Sequence, residues 1–274
     1  MVINIVFISD VHYGLYKKQF RGKTHLASKD VNAAMLQQIN ALPMQTLPGD
    51  GGVMQDKKIG HIEDLIITGD IVNREEDTIQ SAAASWQQFE DNYMDQLNVL
   101  DYQGKKAQVL LTPGNHDVSD AVGYYKKMNP PTDKTAMVEI YNRMMKPETS
   151  ISTDAFDYYK NVVNYSKDMG GIHFMFPQIW PDSANRVWME KDLKKASSST
   201  PVILFTHVPP YGDAKLFFNP NTPGTINSKD KFENLLREHY KDALTIGKKS
   251  KDSIEENNFD KFLERHPNIK AYFH

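Results

Sequence analysis

The sequence predicts an α/β protein with a buried sheet and helices on both of its faces. Four short apolar runs rich in Ile, Val and Leu are each followed at once by polar residues, which is typical of strands that end in loops. The runs are almost continuously hydrophobic, as in strands that are covered on both sides. Segments with helical spacing of apolar residues lie between them. A chain of 274 residues is long enough for one large domain of this class.

The elements follow one another along the chain. The four runs predict strands at residues 3–8, 64–67, 108–111 and 202–205, and a fifth strand is predicted within residues 269–274. Helical spacing predicts helices at residues 32–42, 79–97 and 185–195. Three polar stretches, at residues 13–60, 118–171 and 211–258, are too long for simple connections. We expect them to be insertions that wall a functional site, because long loops in a compact domain usually carry function.

Composition excludes several classes of protein and partner. Lys and Arg total 32 against 35 Asp and Glu, and the net charge of −3 gives no global basic field, so long nucleic acid is not an expected partner. The chain has no cysteine, which excludes disulfides and thiolate metal sites. It contains neither an apolar run long enough to span a membrane nor a signal peptide. A removed leader would leave the same sequence, so the compartment is left open, as is the oligomeric state.

Oxygen and imidazole ligands follow all four strands. In an open α/β sheet, ligands bind beyond the carboxyl ends of the strands, so side chains that follow several strands are expected to converge. Asp10 and His12 are two residues apart and point the same way if strand geometry continues. Carboxylate, amide and imidazole ligands without thiolates suit Mn, Fe, Zn, Ni or Co, without choosing among them. The candidate residues are Asp10, His12, Asp70, Asn115, His116, Asp117 and His207.

The order of these residues resembles that of the calcineurin-like metallophosphoesterase family. Four of the family's five signature blocks are present: Asp10-Val11-His12, Gly69-Asp70, Gly114-Asn115-His116-Asp117 and Thr206-His207. The resemblance implies a four-layer α/β/β/α sandwich, here a single domain over residues 1–274. It also implies a centre of two divalent or trivalent metal ions.

The resemblance assigns a role to each candidate residue. Asp10 and His12 would hold the first metal, Asn115 and His207 the second, and Asp70 would bridge the two ions. His116 would lie over the substrate, where as a cation it could stabilise developing charge or protonate the leaving oxygen, with Asp117 orienting it. The implied reaction is hydrolysis of a small phosphate monoester or diester by in-line attack of a metal-bound hydroxide.

Two departures from the family pattern qualify this assignment. Many members have a second Asp three residues after the bridging one, where this chain has Asn73. The family's last block, Gly-His-x-His, is absent from the 274 residues, whose final strand is of the kind that leads into it. We therefore expect a truncated chain with weakened metal binding.

Two alternatives remain at this stage. The missing block and Asn73 are also what a metal-free, non-catalytic scaffold on the same fold would show. A mononuclear hydrolase of another family fits the carboxylate and amide blocks less well. Taken singly, each block has an ordinary structural explanation, such as a turn after a strand, and the functional interpretation depends on their occurring together and in order.

Overall fold

The first of the two main sheets contains three of the predicted strands. The computed structural model describes residues 2–73, 80–119, 133–158, 160–210 and 252–274. Strands β1 (Ile5–Ile8), β4 (Asp64–Thr68) and β5 (Gln108–Thr112) form a parallel sheet in the order β1-β4-β5. Each agrees with its prediction to within two residues at either end. Central strand β4 is buried along its whole length, as its continuous hydrophobicity predicts.

A second sheet contains four strands in the order β6-β7-β8-β9. They are β6 (Asn164–Met169), β7 (Ile172–Pro177), β8 (Val202–Phe205) and β9 (Ile269–Phe273), and only the β6–β7 pair is antiparallel. The predictions of β8 and β9 are confirmed. Neither β6 nor β7 was predicted from the sequence. The edge strand β6 is mostly polar and only half buried and so lacks a clear alternating pattern, and the apolar, buried run of β7 is not followed by a polar motif.

The two sheets pack face to face through phenylalanine rings. The Phe7 ring of β1 lies 5.9 Å from that of Phe205 on β8 and 5.3 Å from that of Phe273 on β9, measured between centroids. Ile66 on β4 belongs to this inter-sheet cluster, whereas its neighbours Leu65 and Ile67 pack into the larger core that includes helical residues. This alternation gives β4 a second sheet on one face and helices on the other. The mixed α/β class is confirmed, and four layers remain a prediction.

Helices surround these sheets. The predicted helix 32–42 begins earlier and is α1 (Ser28–Ala41), and the predicted helix 79–97 corresponds to α2 (Ala82–Phe89), continued by a π-helical segment (Glu90–Asp95). The predicted helix 185–195 is α5 (Ser183–Leu193), which begins earlier because Asp182 caps it by accepting a hydrogen bond from the Asn185 N–H. Helix α4 (Thr135–Met145) lies within the second predicted insertion, α6 (Asp252–Arg265) begins in the third and extends beyond it, and the short α3 (Asn115–Ser119) follows β5. Part of the second insertion and most of the third lie outside the described residues. None of the helices in the described part of the chain is long and apolar enough to cross a membrane.

The first predicted insertion begins with a two-stranded ribbon. Strands β2 (Tyr16–Phe20) and β3 (Lys23–Ala27) pair antiparallel and are joined by the two residues Arg21 and Gly22. Both of these residues have positive φ, 49° and 77°, as a two-residue hairpin turn requires. In the sequence, the ribbon comes directly after the loop that follows β1.

Candidate metal centre

The carboxyl ends of β1, β4 and β5 meet at one edge of the first sheet because the three strands are parallel. The loops that follow them carry Asp10, Asp70 and Asn115, and the loop after β8 of the second sheet carries His207. Asp10, Asp70 and His207 each offer a ligand atom, and these three atoms lie within 4.8 Å of one another. The convergence predicted from the strand ends is therefore present, and it involves both sheets.

Two glycines allow the loops after β4 and β5 to touch. A Cβ at Gly69 would lie 2.3 Å from the Gly114 nitrogen, and a Cβ at Gly114 would lie 2.2 Å from the Asp70 nitrogen. Real Cβ atoms essentially never approach other atoms so closely. These two positions therefore require glycine, and the contact between the loops fixes Asp70 beside the start of α3.

The backbone after β1 departs from the strand geometry assumed for the pair Asp10 and His12. Strand β1 ends at Ile8, and Asp10 and His12 have φ values of 58° and 46°, in the left-handed region. The loop turns because it pairs with the loop after β4: the Asp10 N–H donates to the Gly69 carbonyl (3.2 Å) and the His12 N–H to the Asp70 carbonyl (2.9 Å). The condition of continued strand geometry is therefore not met, yet the two side chains still meet.

Asp70 stands between two histidines. Its Oδ1 lies 3.4 Å from Nε2 of His207, and its Oδ2 lies 3.7 Å from Nε2 of His12. Asp70 is also 97% buried and has positive φ (52°), so its backbone and its surroundings both restrict it. A carboxylate whose two oxygens face separate imidazoles is suited to contact two cations at once.

Asp10 and His12 form a charged pair at the outer side of the site. Nε2 of His12 lies 3.4 Å from Oδ1 of Asp10. Burial alone would raise the pKa of Asp10, but hydrogen bonds with His12 and Ser9 lower it to about 2. Burial likewise acts to lower the pKa of His12, and the neighbouring carboxylates Asp10 and Asp70 outweigh it and raise that pKa.

The orientation of His207 fits a cation. Its Nδ1 lies 2.7 Å from the Thr68 carbonyl oxygen, which can only accept, so Nδ1 carries a proton. Its Nε2 lies 2.9 Å from Oδ1 of Asn115 and 3.4 Å from Oδ1 of Asp70. A metal ion in the place of a proton on Nε2 would meet one imidazole nitrogen and two oxygens, which are ligands that divalent metals accept. This group of residues therefore fits a metal ion.

A family model supports the same interpretation. The model for calcineurin-like phosphoesterases matches residues 3–274, nearly the whole chain. The chain belongs to the calcineurin-like phosphoesterase family. No curated protein matches it. As a calcineurin-like phosphoesterase, it comes from a family of generally metal-dependent phosphoester hydrolases, and the group Asp10, Asp70 and His207 is its candidate metal site.

Asp117 joins the loops of this phosphoesterase. It is fully buried; its Oδ1 accepts hydrogen bonds from the N–H groups of Ile71 (2.9 Å) and Val72 (3.0 Å), and its Oδ2 accepts one from Gly114 (2.8 Å). Burial, together with the negative charge of Asp70, raises the pKa of Asp117 to about 7. These bonds tie the loop after β4 to the loop after β5. The orienting role toward His116 stays a prediction.

His116 is half-buried next to the metal-ligand candidates. Its ring stands edge-on to that of His12, with 5.4 Å between centroids and an angle of 84° between planes. Its backbone N–H donates to Oδ1 of Asp70 at 2.9 Å. The structure thus places His116 beside the candidate metal site, and its catalytic role remains a prediction.

Sequence reasoning missed one side chain of the site. Asn73 was noted only as a lost carboxylate, but its Nδ2 lies 3.1 Å from Nδ1 of His12. Its place three residues after Asp70 in the motif was the signal that could have found it. The Thr68 carbonyl, which orients His207, left no signal because any residue offers a backbone carbonyl.

Proposed function

We propose that this chain hydrolyses a small phosphate monoester or diester at a two-metal centre. The first ion would be held by Asp10, His12 and Asp70, and the second by Asp70, Asn115 and His207. The observation that carries the proposal is that the two oxygens of Asp70 face His12 and His207 separately. When bound, the two ions supply Lewis acidity at the phosphate and lower the pKa of water toward neutrality. Mn, Fe, Zn, Ni and Co all suit this group of ligands.

The protein's own residues prepare the site in three ways. Asp70 supplies negative charge between the two groups of ligands, where two cations would otherwise repel each other. The Thr68 carbonyl orients His207 by accepting a hydrogen bond from Nδ1, so that Nε2 faces Asn115 and Asp70. Asp117 fixes the separation of the loops through its three backbone hydrogen bonds.

His116 would supply the proton for the leaving group. It lies next to His12 and is not one of the proposed ligands. An imidazole changes its charge near neutral pH, which suits a general acid at physiological pH. We expect His116→Gln to lower turnover of a phosphate ester with a poor leaving group much more than that of one with a good leaving group.

The test measures metal content and turnover in the same samples. Elemental analysis gives the metal bound per chain after addition of Mn²⁺, and hydrolysis of p-nitrophenyl phosphate and of bis(p-nitrophenyl) phosphate gives the activity. Asp70→Asn should lower both metal content and turnover, the turnover by on the order of 10³-fold, because the charge between the ions is removed. Asp95→Asn, which removes the same charge at an exposed site, should change neither.

Two outcomes would overturn the proposal. Full activity in Asp70→Asn, or turnover that a chelator does not reduce, would exclude the bridging role. A wild-type chain that takes up no Mn²⁺ and hydrolyses neither compound would instead support the non-catalytic scaffold.

A further inference from the structure

The ribbon formed by β2 and β3 (Tyr16–Ala27), here called the basic ribbon, carries an excess of positive charge. It has four basic side chains and no acidic one, in a chain whose net charge is −3. All four are exposed, and none of them forms an ion pair with any residue that the structure describes. These side chains are Lys17, Lys18, Arg21 and Lys23. The net charge of the chain therefore conceals a local basic surface.

Aromatic rings alternate with the cations along this surface. Tyr16 and Phe20 are the first and last residues of β2 and lie on the same side as Lys18, because alternate residues of a strand share a face. The Tyr16 ring is stacked on that of His25 of β3, with 4.3 Å between centroids and 3° between planes. The guanidinium of Arg21 lies 5.2 Å from the centre of the Phe20 ring. One face of the ribbon thus combines aromatic rings with positive charges.

The ribbon is fixed to the candidate metal centre at its base. The Leu15 N–H donates to the carbonyl of His12 (3.3 Å), and the Ser28 N–H donates to the carbonyl of Leu15 (2.8 Å). These bonds connect both ends of the ribbon to the loop that carries Asp10 and His12. A molecule bound along the ribbon would therefore extend away from the place where the metals are proposed to bind.

We propose that the basic ribbon binds a short stretch of single-stranded nucleic acid, one phosphodiester of which reaches the metal centre. This inference rests on the proposed phosphoesterase function and names its substrate class. The cations are spread along strands of five residues, about 14 Å at roughly 3.4 Å per residue, which matches an extended polyanion better than one compact phosphate group. Aromatic rings among the cations suit unpaired bases, which stack on aromatic side chains.

The turn of the ribbon argues against a membrane as the partner. Arg21 and Gly22 occupy it, so no apolar side chain is presented there for insertion among lipids. The net charge of the whole chain argues against long nucleic acid as a partner. It does not argue against a few nucleotides bound by a local basic surface.

The test measures the binding of a fluorescein-labelled oligothymidylate of twelve nucleotides by fluorescence anisotropy. A chelator is present so that no hydrolysis can occur. Lys17 lies on the other face, so if Lys18, Arg21 and Lys23 contact phosphates, the logarithm of the binding constant should fall with the logarithm of salt concentration with a slope of about −2. Lys18→Gln/Lys23→Gln should weaken binding about tenfold or more at low salt and reduce the slope to about −0.7. Lys191→Gln/Lys194→Gln removes two exposed charges from the end of α5 and should change neither quantity.

A second variant tests the contribution of the bases. Tyr16→Ala should weaken binding of the oligothymidylate by about fivefold or more and leave binding of an abasic oligomer of the same length unchanged. Circular dichroism of each variant checks that the fold is intact. Equal losses for the two oligomers would show that Tyr16 does not stack on a base and would overturn that part of the inference.

The outcomes separate this inference from the proposed function. Hydrolysis of bis(p-nitrophenyl) phosphate without ribbon-dependent binding of the oligomer would overturn the inference alone. Ribbon-dependent binding without any metal-dependent hydrolysis would overturn the proposed function and leave a nucleic-acid-binding protein. Binding to phosphatidylglycerol vesicles that depends on Lys18 and Lys23, with none to the oligomer, would replace nucleic acid by an anionic membrane.

Discussion

Gly69 offers the sharpest test of how the loops of the candidate metal centre are packed. In Gly69→Ala the new Cβ would lie 2.3 Å from the Gly114 nitrogen, whereas ordinary contacts begin at 3.4 Å, so the loops must separate by about 1.1 Å (3.4 − 2.3). The residue also has φ of +87°, and a side chain at positive φ costs about 1–2 kcal/mol. Forcing the neighbours apart adds about 1–3 kcal/mol. We expect the free energy of unfolding to fall by about 2–5 kcal/mol in total.

Gly104→Ala is the matched control for this clash. Gly104 has φ of +77°, but nothing lies within 4 Å of the place that its new methyl group would occupy, so only the conformational cost of about 1–2 kcal/mol applies. With an unfolding entropy of about 0.6 kcal/mol/K for 274 residues, the melting temperature should fall by about 3–9 °C in Gly69→Ala and about 2–3 °C in Gly104→Ala. Metal content should fall only in Gly69→Ala, because Asp70 is displaced. Equal losses of stability in the two variants, with metal content unchanged, would refute the packing argument.

Three further predictions concern His12 and Asn73 at the candidate metal centre and Phe205 between the sheets. In the metal-free protein the charged form of His12 stabilises the fold fully below pH 6.5, and this contribution is lost as the pH rises through its raised pKa. Metal binding must then displace a proton, and calorimetry in two buffers of different ionisation enthalpy should detect a release that is smaller in His12→Gln; an unchanged release would contradict this. Asn73→Asp should increase metal affinity about tenfold by placing a carboxylate beside Nδ1 of His12, and Asn73→Leu should not. Phe205→Ala should lower the free energy of unfolding, measured in urea, by about 3–5 kcal/mol, and Phe205→Leu should lower it much less. A loss below about 1 kcal/mol in Phe205→Ala would show that the inter-sheet cluster contributes little.

The strands that end in a polar motif were predicted from the sequence, and β6 and β7, which do not, were missed. Each residue of β4 is buried, so its apolar run can be identified as a strand without knowing which strands lie beside it. Strand β6 is an edge strand whose residues are mostly polar, and its position depends on pairing with β7. Helix α4 lies within a long polar stretch and α6 begins in another, where helix formation depends on tertiary packing more than on local sequence.

The identity of the site residues was easier to predict than their geometry. Asp10, Asp70 and His207 were chosen because they follow strands, and the structure brings them together. The left-handed turn at Asp10 depends on pairing between the loops after β1 and β4, which lie about 60 positions apart in the sequence. No local pattern specifies such a contact. For the same reason the bonds from Asp117 to the backbone of both loops could not be foreseen.

The hydrogen bonds that shape the candidate metal centre also hold its backbone in an unfavourable conformation. Asp10, His12 and Asp70 all have positive φ, at a cost of about 1–2 kcal/mol for each residue. Bonds between the loops offset this cost: those from the N–H groups of Asp10 and His12, and those that Asp117 accepts. Because the same contacts position the ligands and support the strained backbone, a substitution here changes metal binding and folding together. Loss of activity in a variant of this site is therefore evidence for a catalytic role only when its stability and metal content are measured on the same sample.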